Sequence, residues 1–167
     1  MQKDLGGLFS YDNFHLRPLI EDDIPILVPL INDAYSYQDE VKGQPRTSIA
    51  HLEKRASEVD LYVLEDDLQI VGCVYLEPQG STLHFGLLTV VPEMRGKGIA
   101  SAIMKAIDSY ASQHQFQMVA LDYMSLAPWL KRYYEKYGFI ETGAINQWGK
   151  IDLIRMQKKV IYQLDRL

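Results

Sequence analysis

Apolar residues recur along this chain with two periods, and each change of period marks an element boundary. Phe14, Leu16 and the pair Leu19-Ile20 predict a first strand over 13–19, interrupted by Pro18. Glu21-Asp22-Asp23 supplies a helix start with acids in the first turn. Ile24, Leu27, Val28 and Ile31 follow at helical spacing, with Pro29 expected to kink or shorten the helix. The polar stretch from Asp33 to Arg46, with Gly43 and Pro45, reads as a loop. Thr47 or Ser48 caps a second helix whose apolar face is Ile49, Leu52, Ala56 and Val59. Leu61–Leu64 and Leu68–Leu76 form a hairpin around Glu65-Asp66-Asp67, and Gln79-Gly80-Ser81 turns the chain into a fourth strand from about Leu83.

The run Leu87–Val91 continues that strand, and Pro92 ends it by removing a ladder donor. Gly96 and Gly98 then permit a tight turn, and Ile99, Ile103 and Ile107 take up helical spacing over 98–114. Strand, glycine loop and helix in succession point a helix N-terminus and free backbone N–H groups into the loop, a ready phosphate site. Arg95 and Lys97 add positive charge there. A fifth strand is predicted over Gln117–Tyr123. Pro128 opens a fourth helix with Leu130, Tyr133, Tyr134 and Tyr137 on one face, ended by Gly138. Two last strands cover Phe139–Ala144 and Lys150–Val160, joined through Asn146–Gly149, and residues 1–12 read as a loose leader. The order predicts one α/β domain over 1–167. Its core is a mixed sheet of about six to seven strands flanked by about four helices, with a right-handed crossover between the fourth and fifth strands.

Composition changes this picture little. A chain of 167 residues suits one domain with a real core. No run approaches the ~20 apolar residues that span a bilayer, and Met1-Gln-Lys-Asp4 leads into no apolar signal region. The expected location is cytoplasmic, with no membrane partner. Cys73 stands alone, which excludes an internal disulfide and a multi-cysteine metal site, and its apolar surroundings predict a buried thiol. No metal is expected. Net charge is −5, but residues 1–93 carry 16 acidic and 6 basic side chains, whereas residues 94–167 carry 6 acidic and 11 basic. An acidic half attracts an amine and a basic half a polyphosphate. No basic stripe interleaved with aromatics suggests nucleic acid.

The glycine loop lacks the P-loop and dinucleotide fingerprints. It resembles instead the acyl-coenzyme A signature of the GNAT superfamily, the general N-acetyltransferases, Gln/Arg-x-x-Gly-x-Gly/Ala, which Arg95, Gly98 and Ala100 fit. Leu88-x-Val90-x-Pro92 fits the family's fourth strand, Tyr133-Tyr134 to Gly138-Phe139 fits its Phe/Leu-Tyr-x-x-x-Gly-Phe motif, and the element order over 13–160 is the GNAT order. The resemblance implies acetyl-CoA as cosubstrate. Leu88, Thr89 and Val90 would lie along its pantetheine arm and thioester carbonyl, with Arg95, Gly96, Lys97, Gly98, Ile99, Ala100 and Ser101 at its phosphates. Splaying of the fourth and fifth strands would open the slot.

The resemblance also makes Tyr134 the general acid, a reading that the motif places ahead of a purely structural role in an aromatic core face with Leu130 and Tyr137. Relatives place the base differently. One pattern points to His84 on the fourth strand, another to Asp122 on the fifth. Asp122 is slightly favoured, because a carboxylate also attracts an ammonium group. Tyr35, Tyr37, Asp39 and Glu40 lie in the segment that lines the acceptor pocket in the family. Glu93 reads as a surface residue. Trp129 stands where many relatives carry an asparagine near the pantetheine, so that contact is not carried over. The expectation is an N-acetyltransferase acting on a primary amine of a small molecule or peptide by direct transfer. The alternative is a GNAT-like acyl-CoA-binding sensor or interaction module without turnover, and homodimer formation stays open.

Overall fold

A computed structural model describes residues 4–162. Seven strands form one mixed sheet: β1 (His15–Pro18), β2 (Asp60–Glu65), β3 (Ile70–Gln79), β4 (Thr82–Val90), β5 (Met118–Met124), β6 (Ile140–Trp148) and β7 (Ile151–Lys159). Their spatial order is β1-β2-β3-β4-β5-β7-β6, with β4 and β5 parallel and every other neighbour antiparallel. The helices are α1 (Leu5–Leu8), α2 (Ile24–Ala34), α3 (Asp39–Lys42), α4 (Ile49–Glu58), α5 (Ile99–Gln113) and α6 (Trp129–Glu135). Helix α5 is the crossover between the parallel strands, as expected.

Alternation along the strands feeds two apolar clusters. Leu83, Phe85, Val119 and Leu121 pack with Ile99, Ile103 and Ile107 of α5 and with Tyr134 and Phe139. Leu61, Val63, Cys73 and Tyr75 pack with Leu27 and Ile31 of α2 and Leu52 of α4. Phe85 is 1% exposed, and burying such a side chain contributes about 1.5–3 kcal/mol.

Several expectations need correction. Residues 4–9 are no loose leader: Leu5 and Phe9 are buried in the α5 cluster, and the Asp4 side chain caps α1 by accepting from Gly7 N–H. Residues 1–3 lie outside the described residues. Helix α2 runs unbroken through Pro29. Proline there deletes one hydrogen bond in the middle of the helix, while Leu27 and Ile31 on either side are fully buried and hold the helix in place. The segment 33–46 contains a 3-10 turn over Ser36–Gln38 and the helix α3. Strand β6 continues to Trp148, so the final turn is only Gly149-Lys150. Of the two cap candidates for α4, Ser48 is the one that serves, accepting from His51 N–H, as the sequence allows.

Candidate active site

The sheet is forked. Strands β4 and β5 pair only at Thr82↔Met118, Leu83↔Val119 and His84↔Ala120. Beyond that point β4 stays on β3 as far as Val90, and β5 stays on β7 as far as Met124. The two strands part, and a cavity of about 620 Å³ occupies the gap, walled by Leu88–Val90, the loop and first turn of α5, α6, and Tyr35 and Tyr37.

A β-bulge sets which groups of β4 face the gap. Between Tyr75↔Gly86 and Cys73↔Thr89 the strand β4 spends one residue more than β3. Leu87, at the bulge, has a positive φ of 51°, which costs a non-glycine residue about 1–2 kcal/mol. Its carbonyl accepts from Cys73 Sγ at 3.3 Å and Thr89 Oγ1 at 2.9 Å, which holds the distortion. Gly86 beside it is required by space, since a Cβ there would lie 2.4 Å from the Tyr75 hydroxyl oxygen. Val91 N–H donates to Val71, so ladder alternation turns Thr89 towards β3 and the backbone groups of Leu88 and Val90 towards the gap. The sequence gives no signal for this bulge beyond Gly86.

At the open end of the fork, Pro92–Met94 makes a 3-10 turn and the glycine loop enters α5. Gly98, with φ 89°, is the N-cap and offers no side chain, so the N–H groups of Ile99, Ala100 and Ser101 have neither an intrahelical acceptor nor a cap. All three residues line the cavity, with Gly96 and Gly98. Arg95 Nε donates to Val90 O at 3.0 Å, bracing the loop against the strand end, and Lys97 is exposed. Tyr11 hydroxyl donates to Lys97 O, a brace from the N-terminal segment that no sequence motif marks. Glu93 is exposed.

Tyr134 is buried in the opposite wall, its ring edge-on to Phe85, Tyr133 and Phe139. Burial, with Tyr133, Tyr37 and Tyr137 nearby, pushes its phenol well above the usual tyrosine value. It is therefore both a core ring and a cavity group. Tyr35 and Tyr37 reach the cavity, and Tyr37 packs edge-on against exposed Trp129 with ring centroids 5.6 Å apart. Asp39 and Glu40 do not line it: the Asp39 carboxylate accepts from the Gln38 side chain, and Glu40 is exposed.

The two base candidates turn out to be partners. His84 Nε2 donates to Asp122 Oδ2 at 3.2 Å, and Arg155 Nε donates to Asp122 Oδ1 at 2.7 Å. Burial works to raise the Asp122 pKa, but the hydrogen bonds from His84 and Arg155 prevail and hold it down at about 2. Neither residue lines the cavity, although His84 stands at the last β4–β5 pair, where the strands separate. With Nε2 carrying the shared proton, His84 Nδ1 is left as an acceptor, buried and without a partner. Cys73 is fully buried and its thiol is pushed up to about 12 by burial.

Comparison with known proteins agrees with this geometry. The family profile described as "Acetyltransferase (GNAT) domain" matches residues 32–160. No curated protein sequence matches significantly. Among solved structures, an N-acetyltransferase from Staphylococcus aureus Mu50 superposes with TM-score 0.67 at 18% identity, covering 90% of this chain and 100% of its own. A spermidine N-acetyltransferase from Vibrio cholerae, in complex with CoA and spermine, gives 0.69 at 21%, covering 90% and 97%. A ribosomal-protein-alanine N-acetyltransferase from Brucella melitensis gives 0.64 at 20%, covering 86% and 98%. At these identities the likeness is one of fold.

Proposed function

The chain belongs to the GNAT acetyltransferase family, and from that premise we propose that it transfers an acetyl group from acetyl-CoA directly to a primary amine of a small molecule or peptide. The observation that carries the reading is the forked sheet, with a bare helix N-terminus at its open end and a protonated tyrosine in its wall. Acetyl-CoA is the cosubstrate of this family; when bound, it supplies an acyl thioester, an activated carbonyl with a thiolate leaving group.

The cavity's residues fit that group. The N–H groups of Ile99, Ala100 and Ser101, with Gly96 and Gly98 and the charge of Arg95 and Lys97, suit phosphates. Backbone N–H groups of Leu88 and Val90 on the open edge of β4 suit the pantetheine amides and the carbonyl oxygen, where developing negative charge is stabilised. In the transfer a C–N bond forms and the thioester C–S bond breaks. The amine gives up a proton, and Tyr134 Oη delivers one to the departing sulfur. Its raised pKa keeps that proton in place at neutral pH.

Of the two base candidates, Asp122 has both oxygens engaged, so we assign the proton-accepting role to His84 Nδ1, the unpartnered acceptor at the point where the strands part, with Asp122 fixing the tautomer. Transfer is direct, because the Cys73 thiol is packed away from the cavity with its pKa raised, so no thiolate nucleophile is presented. Replacing Tyr134 by Phe keeps the ring packing and removes the proton. CoA affinity by calorimetry should persist while kcat drops by roughly 100-fold. Unchanged kcat in a folded variant would return Tyr134 to the core.

A further inference from the structure

Beside Tyr35, which lines the cavity, stands a pair of cations that do not line it themselves. Arg46, just before the cap of α4, lies with its guanidinium carbon 4.5 Å from the ring centroid of Trp148 and 5.6 Å from that of Tyr35. Lys42 Nζ, at the end of α3, is 3.0 Å from the same Trp148 centroid. Two cations thus crowd one indole, brought there by the tip of the β6–β7 hairpin, where Trp148 pairs with Ile151. Among the described residues neither cation forms an ion pair or a hydrogen bond, and Arg46 Nε is buried with no acceptor. The acids nearest in sequence do not neutralise them, as Asp39 is engaged by Gln38 and Glu40 points to solvent. Burial opposes both charges, and at Lys42 the Arg46 charge adds to it.

A half-buried guanidinium whose Nε is buried without an acceptor is unfavourable unless a partner arrives. Tyr35 connects this cluster to the reacting centre: its ring faces Arg46, and it lines the same cavity as Tyr134. We propose that the acceptor is an amine that also carries a carboxylate, held by Arg46 and Lys42 while its amino group faces Tyr134. A guanidinium fork matches a carboxylate in two parallel hydrogen bonds, and a lysine adds a point charge. A polyamine would meet two cations here and is disfavoured. This inference rests on the acetyltransferase reading and narrows its substrate.

The test is thiol release from acetyl-CoA with a panel of α-amino acids, the matching amino acid amides and spermidine. The expected result is at least one amino acid used with kcat/KM roughly tenfold or more above its amide and above spermidine. Arg46→Gln should raise KM for that amino acid by roughly tenfold or more with kcat nearly unchanged, and leave the amide unaffected; Arg46→Lys, which keeps the charge without the fork, should fall between. Equal use of acids and amides, or preference for spermidine, overturns the carboxylate site while leaving acetyl transfer intact. If no amine releases thiol, the transfer reading fails instead, and the site is read separately by Trp148 fluorescence in a Trp129→Phe variant. Saturable quenching by N-acetylphenylalanine but not by its amide retains the anion site, and no response to either removes it.

Discussion

Asp122 has both carboxylate oxygens engaged, and this makes it a structural clamp before it is anything else. It links β4 through His84 to β7 through Arg155. Its pKa of about 2 lies below the ordinary aspartate value. The stabilisation is therefore fully present above about pH 4 and is lost as pH falls towards 2. Asp122→Asn should lower stability at pH 7 by about 2 kcal/mol. In urea melts the gap between variant and parent should narrow as the pH is lowered from 4 towards 2, and a constant gap would mean the carboxylate charge is not what holds the clamp. His84 gives the kinetic counterpart. If Nδ1 receives the amine's proton, His84→Ala flattens the rising limb of kcat/KM with pH; an unaltered limb would assign it to the amine's own ionisation. Sequence position brought both residues forward, but not their pairing, because registers 38 residues apart and the reach of Arg155 from a third strand are set only in the folded sheet. Tyr134 was legible because a local motif marks it. Arg46 was not, since a lone arginine between Pro45 and Thr47 has no periodicity to place it, and Trp148 meets it from the other end of the chain.

At the scale of elements, the glycine loop and α5 were readable because the chemistry there is local. A strand stopped by Pro92, two glycines and an Ile99–Ile103–Ile107 face leave few alternatives. Gly98 combines a left-handed φ of 89° with the N-cap position, so Gly98→Asp adds backbone strain, bulk and a negative charge where the phosphates would sit. CoA affinity should fall by roughly 100-fold or more, read by calorimetry on the folded variant. Affinity within a few-fold of the parent would place the cofactor elsewhere. Less was readable where tertiary packing overrides local rules. Helix α2 passes through Pro29 because buried Leu27 and Ile31 outweigh one missing hydrogen bond. The short helix α3 hides in a polar stretch, and the bulge at Leu87 depends on side chains from β3.

For the whole molecule, the element order carried the sheet topology, since a single parallel crossover between β4 and β5 leaves one place for the sheet to fork. The acidic and basic halves suggested an amine site and a polyphosphate site. The glycine loop does fall in the basic half, but Arg46 and Lys42 of the acidic half gather on Trp148 beside Tyr35, because net charge says nothing about which side chains meet. Among the described residues no helix is long and apolar enough to cross a membrane. The central claim is that this fork performs acetyl transfer rather than only holding the cosubstrate. The most direct measurement is incubation of the protein with acetyl-CoA and a broad amine panel, with thiol release followed and products read by mass spectrometry. The account predicts one acetyl group added to the nitrogen of at least one amine, with stoichiometric thiol and dependence on Tyr134. Tight CoA binding with no acetylated product from any amine would contradict it and leave a binding module without turnover.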